Sequence, residues 1–245
     1  AAAAQELLHQ AMLIHDDIID RDSIRYHIKN VSGQYEDTYT DLIPDPIERR
    51  HFADSSAILA GDLLISEAHM QIARLDVDAA LFHEVHHHMS QSVFHVAGGE
   101  LLDTEASFEK DGVIDPLTVA EQKTASYSFV GPLMIGAVLG GASKDQQNIL
   151  RHLGTSVGIA YQLRDDLIGV FGDANATGKS TDGDIREGKR TVLIDEFYKR
   201  ANESDIKQFA EIFGQRDADE QALVRARTLL ERSGAKEAIE SYIEN

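Results

Sequence analysis

The chain of 245 residues has no cysteine, no tryptophan and four prolines, and its 23 lysines and arginines fall well short of its 42 aspartates and glutamates. The missing cysteines exclude disulfides, thiolate metal ligands and a cysteine nucleophile. The resulting formal charge of −19 repels phosphate backbones and anionic lipid headgroups, which argues against nucleic acid as a partner. Long hydrophobic runs are missing too. The longest nearly uncharged apolar stretch, Phe129 to Ala142, contains Pro132 and several glycines and is shorter than the ~20 residues a membrane span needs. Ala1 to Gln5 has neither a basic segment nor a cleavage-type end, so no signal peptide is expected.

What the chain does have is apolar residues spaced three and four apart over long stretches, the helix period. With so few prolines, this predicts an all-α chain of long helices. The first helix holds Leu7, Leu8, Ala11, Leu13, Ile14, Ile18 and Ile19 and breaks at Arg25 to Asn30. Val31 to Arg49 is polar and ends near two prolines, which predicts a mobile loop. Helices are predicted from Ser55 to Leu75, Ala79 to Val96, Pro116 to Ala125, Ser128 to Leu139, Asp145 to Phe171, Thr191 to Ala201, Ser204 to Phe213 and Asp217 to Asn245. Gly172 to Lys189, polar and glycine-rich, reads as a second loop. No repeat or linker divides the chain, so residues 1–245 are taken as a single domain.

Two acidic groups sit inside apolar helical stretches. Asp16 and Asp20 are one turn apart on one face, with Asp17 beside them, and Leu13, Ile14, Ile18 and Ile19 surround them. Carboxylates among residues of the buried type call for a cation. Asp165 and Asp166 repeat the arrangement before the second loop. Oxygen-only donors suit Mg²⁺, which binds through one or two carboxylates plus substrate phosphates. Arg25 and His27 follow the first group, and Lys179, Arg186 and Lys189 the second. Cations beside metal-binding carboxylates in so acidic a chain point to a diphosphate.

Taken in order, these motifs resemble those of the trans-isoprenyl diphosphate synthases, the polyprenyl synthetase family, over nearly the whole chain. His15 to Asp20 with Arg25 resembles the first aspartate-rich motif, and Ala57 to Leu64 the next helix. Lys123 and Thr124 match the mid-chain Lys-Thr pair. Gln162 to Asp166, Phe171 to Asp173, Gly178, Lys179 and Asp184 to Lys189 match the second motif and its basic loop. The resemblance implies a bundle of helices around a central cavity, a cytoplasmic homodimer, and Mg²⁺ held by Asp16, Asp20 and Asp165 with Asp17 and Asp166 in support. It implies that Arg25, Lys123, Lys179 and Lys189, assisted by Thr124 and Gln162, hold an allylic prenyl diphosphate for attack by isopentenyl diphosphate. Ala11 and Met12, just before the first motif, would set product length, and their small or flexible side chains predict geranylgeranyl length or longer.

The chain departs from the family pattern in three places. Tyr26 stands where the family usually has a second arginine for isopentenyl diphosphate. Gly169 replaces the third aspartate of the second motif. The family's N-terminal helices have no counterpart before Ala1, so the chain is expected to be N-terminally incomplete. Two alternatives remain: a noncatalytic subunit that sets a partner's product length, and a class I terpene cyclase. His83-Glu84-Val85-His86-His87 fits the zinc-protease pattern His-Glu-x-x-His, but a histidine-rich stretch produces it by chance and no third ligand follows. Gly172 to Gly178 encloses five residues where a P-loop needs four.

Overall fold

A computed structural model of the chain describes residues 1–108, 113–172 and 183–244. Among these residues the fold is all-α apart from one short hairpin. The chain gathers into two compact units, the first formed by 1–91 with 131–148 and the second by 92–130 with 149–245.

In the first unit α1 (Ala2–Ile19) packs on α3 (Pro46–Ala73). Ala4 and Ala11 on α1, and Ala53, Ala57 and Ala68 on α3, are all buried. The two helices meet at Gly61, where a Cβ would lie 2.1 Å from Nε2 of His15. The His15 ring therefore lies across Gly61, with Nε2 3.1 Å from the Ile58 carbonyl oxygen, and this contact fixes the turn of α1 that carries Asp16.

Two expectations for this unit are corrected. The break after α1 contains a hairpin of β1 (Ile24–Arg25) and β2 (Ile28–Lys29), with Arg25 opposite Ile28. Its two-residue turn, Tyr26 at φ 52° and His27 at φ 61°, has the left-handed geometry that suits hairpin twist but favours glycine or asparagine. The stretch predicted as a mobile loop contains α2 (Val31–Thr38), and α3 begins within it at Pro46. Asn30 caps α2 by accepting from the Gly33 amide at 2.9 Å. Tyr39 packs on Phe52 with ring centroids 4.7 Å apart. Capping and tertiary packing override a composition that, read alone, belongs to loops.

Helix α4 (Ala79–Ala106) runs ten residues past Val96, where the predicted helix ends, and continues through Gly98 and Gly99. In place of two α-helices meeting near Ser126 there is a continuous run of α5 (Pro116–Ala120), a π-helix (Glu121–Val130) and α6 (Gly131–Leu139). Helix α7 (Lys144–Phe171) matches its prediction within a residue. The second unit continues with α8 (Gly183–Glu187), α9 (Val192–Arg200), α10 (Glu203–Ala210), α11 (Glu220–Arg232) and α12 (Ala235–Glu244). Gly234, at φ 78°, splits the single helix predicted at the end of the chain. The core of this unit gathers Leu163 and Leu167 of α7, Phe197 of α9, Phe209 of α10, Leu223 of α11 and Ile239 of α12. Phe197 and Phe209, both fully buried, meet at 4.5 Å between centroids.

Candidate active site

The first unit brings Asp16, Asp17 and Arg25 together. Arg25 donates through Nε to Asp17 Oδ1 at 2.8 Å and through Nη2 to Asp16 Oδ2 at 2.9 Å. Asp17 is buried, while Asp16 and Asp20 are partly exposed. Burial pushes the Asp17 carboxyl above its ordinary range, and the Arg25 hydrogen bond opposes that shift without cancelling it. The neighbouring carboxylates hold Arg25 firmly protonated. A guanidinium anchored on two carboxylates is already placed, and so loses little freedom when it meets an anion. Ala11 has no exposed surface, and Met12 is partly exposed.

The second unit assembles the other half of the predicted set. Lys123 Nζ lies 2.6 Å from Asp103 Oδ2 and 2.9 Å from Glu100 Oε2, both on α4. The Thr124 hydroxyl donates to Gln162 Oε1 at 2.5 Å, and Gln162 Nε2 donates to Asp166 Oδ1 at 2.8 Å. Asp165 is exposed and Asp166 buried, so one turn of α7 presents one carboxylate outward and holds the other inside. The missing third aspartate has a spatial explanation: a Cβ on Gly169 would lie 2.6 Å from Asp184 Oδ2, so the carboxylate of α8 occupies that space.

Burial raises the Asp166 carboxyl well above the ordinary range, and Asp184, Asp165 and Asp103 add to the effect. A carboxyl raised in the folded state stabilises the fold below its unfolded pKa, and that contribution is lost as pH rises through the folded value. Asp166→Asn should therefore make the metal-free protein more stable at neutral and alkaline pH, and flatten the loss of stability with rising pH. Thermal melts across pH check this; an unchanged pH profile would show that Asp166 carries no such charge penalty.

Lys179 lies outside the described residues. Lys189 Nζ is 3.7 Å from Glu187 Oε2. Arg186, which the sequence groups with the diphosphate-binding cations, donates through Nη1 to the carbonyls of Arg216 and Ala218 at 2.9 and 2.6 Å, and so clamps the α10–α11 connection. In the zinc-protease pattern His83 and His87 are exposed, and Glu84 pairs with Lys144 at 2.5 Å, which lowers its pKa. No group of three possible metal donors among the described residues includes either histidine. Sequence reasoning missed Glu100 and Asp103, and placed Asp184 in the second motif without giving it a role. Glu100 and Asp103 look like ordinary surface acids until the fold pairs them with Lys123, 20 or more positions away, and Asp184 gains its place only where it fills the space beside Gly169.

The predicted metal donors are all hard carboxylate oxygens, as Mg²⁺ requires. Comparison with known proteins points the same way. The polyprenyl synthetase family profile matches residues 1–230. A short chain isoprenyl diphosphate synthase of Methanocaldococcus jannaschii is 30% identical over 233 residues, covering 95% of this chain and 65% of that protein. A geranylfarnesyl diphosphate synthase of Aeropyrum pernix is 32% identical over 246 residues, covering 98% and 70%. The crystal structure of geranylgeranyl pyrophosphate synthase from Corynebacterium glutamicum, complexed with isoprenyl diphosphate and magnesium, superposes with a TM-score of 0.90 at 32% identity, covering 98% and 68%. The chain thus spans about two thirds of the length of these relatives. An ordered set of motifs, an all-α fold and a profile match over nearly the whole length agree, and the chain belongs to the polyprenyl synthetase family.

Proposed function

We propose that this chain carries the machinery of a Mg²⁺-dependent prenyltransferase that joins an allylic prenyl diphosphate to isopentenyl diphosphate, giving a longer all-trans polyprenyl diphosphate. The observation that carries the reading is the Asp16–Asp17–Arg25 cluster, in which carboxylates on an apolar helix hold a guanidinium in place. Asp16, Asp20 and Asp165 would hold Mg²⁺, with Asp17 and Asp166 in support. Bound there, the metal supplies positive charge that stabilises the departing diphosphate.

The chain's own residues account for the rest. Arg25, Lys123, Lys179 and Lys189 make charge-assisted hydrogen bonds to the diphosphate oxygens, and Thr124 and Gln162 orient them. As the allylic C–O bond breaks, charge grows on the departing oxygen, where fixed cations act most strongly. The double bond of isopentenyl diphosphate attacks the allylic carbon, and the proton then lost goes to the released diphosphate. Incubation with farnesyl diphosphate, labelled isopentenyl diphosphate and Mg²⁺ should yield labelled longer products. Ionisation without incorporation of label would indicate a cyclase, and no reaction without a second chain a noncatalytic subunit. The reading includes a cytoplasmic homodimer, which light scattering and cell fractionation would test.

The proposed product is of geranylgeranyl length or longer. Ala11 presents only a methyl group, and the unbranched Met12 can yield to a lengthening chain. Ala11→Phe should shorten the products while sparing the first condensation. An unchanged length distribution from a folded variant would remove Ala11 from this role.

A further inference from the structure

The π-helix that bears Lys123 and Thr124 meets two helices at two glycines. On α4, a Cβ added to Gly99 would lie 2.2 Å from the Lys123 backbone nitrogen and 2.6 Å from its Cα. On α7, a Cβ added to Gly158 would lie 2.5 Å from both the Cα and the Cβ of Ala125. No side chain packs at such distances, so backbone meets backbone at both points because each residue is glycine. Gly98 shows the contrast: a Cβ there would meet nothing within 4 Å.

One turn beyond each glycine, on the same helix face, stands the group that grips the π-helix side chain. Asp103, four residues after Gly99, takes the Lys123 ammonium at 2.6 Å, with Glu100 closing in at 2.9 Å. Gln162, four residues after Gly158, takes the Thr124 hydroxyl at 2.5 Å. A π-helix is wider than an α-helix and is concentrated at functional sites. Here its extra width is accommodated on both sides at the turn that bears two site residues.

We propose that Gly99 with Asp103, and Gly158 with Gln162, are positioning residues that form a two-sided clamp on the π-helix and set where the Lys123 ammonium and Thr124 hydroxyl stand. Gly99, Asp103 and Gly158 act through those two side chains. The kinetic consequence rests on the proposed diphosphate-binding role of Lys123; the placement of its ammonium does not.

The test uses the full chain carrying Gly99→Ala, Asp103→Asn or, as control, Gly98→Ala. A soluble amine-acylating ester probes Lys123, with modification read by peptide mass spectrometry. The Lys123 side chain is only 18% exposed and its ammonium is engaged by two carboxylates, which shield it from the reagent, so Gly99→Ala and Asp103→Asn should raise labelling of Lys123 several-fold relative to the other lysines, and Gly98→Ala should not. In parallel, each substitution is combined with Lys123→Ala and kcat/KM for the allylic diphosphate is measured. Alone, Gly99→Ala and Asp103→Asn should lower it, whereas in the Lys123→Ala background they should add no further loss. Unchanged labelling in the folded variants, or losses that add to that of Lys123→Ala, would overturn the proposal. Should Gly99→Ala fail to fold, Asp103→Asn leaves the backbone contact intact and carries both measurements. If Lys123→Ala is itself fully active, the functional reading of Lys123 fails, and the labelling still decides the clamp.

Discussion

Asp16→Ala is expected to cut prenyl transfer by about a thousandfold or more, the scale on which a group stabilising transition-state charge acts, while leaving the fold intact. The second half of that expectation follows from the way Arg25 is held. With Asp16 gone, the guanidinium keeps Asp17, through Nε at 2.8 Å and Nη2 at 2.7 Å. Asp16 is also partly exposed, so its removal leaves no buried cation without a partner and should change stability by only about 1 kcal/mol. Asp17→Ala should destabilise the fold more, since Asp17 is the buried partner, and unfolding curves should separate the two variants clearly. Full turnover by Asp16→Ala would remove the first aspartate group from the chemistry.

Lys123→Ala is the second large effect, and it should appear in both activity and stability. The side chains of Glu100 and Asp103, only 15% and 17% exposed, would face each other without the ammonium between them. Breaking a substantially buried pair from one side costs about 3 kcal/mol. In the diphosphate-binding role proposed for Lys123, loss of its charge should lower kcat by roughly a hundredfold or more. Lys123→Arg keeps the charge and should recover most of the stability, but less of the rate, because a planar fork replaces a compact ammonium. An unchanged kcat at saturating allylic substrate would place Lys123 outside the diphosphate site.

The parts of this fold that were legible in the sequence are those with a period. Helices α1 and α7 were read from apolar spacing because each sets a continuous stripe against a core, and their aspartates stood out as charges inside those stripes. Helix α2 was illegible because its residues favour loops; Asn30, and the contact of Tyr39 with Phe52, create it. The π-helix was illegible for a different reason. Ten residues are too few to tell its period from that of an α-helix, and what permits it, Gly99 and Gly158, lies 20 or more positions away in the chain. Gly169 illustrates the limit at the site itself. In sequence it is a lost carboxylate, whereas in space it is the gap that the Asp184 carboxylate fills.

The small hairpin after α1 ties Arg25 to a length rather than to a composition. Arg25 faces Ile28 across a ladder only two residues long on each side, and Tyr26 and His27 turn the chain between them. Successive side chains on a strand point to opposite faces, so inserting or deleting one residue here would swing Arg25 away from Asp16 and Asp17. Exchanging Tyr26 or His27 for glycine would only relieve the left-handed backbone. The segment therefore tolerates a change of residue at its tip and no change in the number of residues, and an indel between Ser23 and Asn30 would disarm the arginine without altering any residue that touches it.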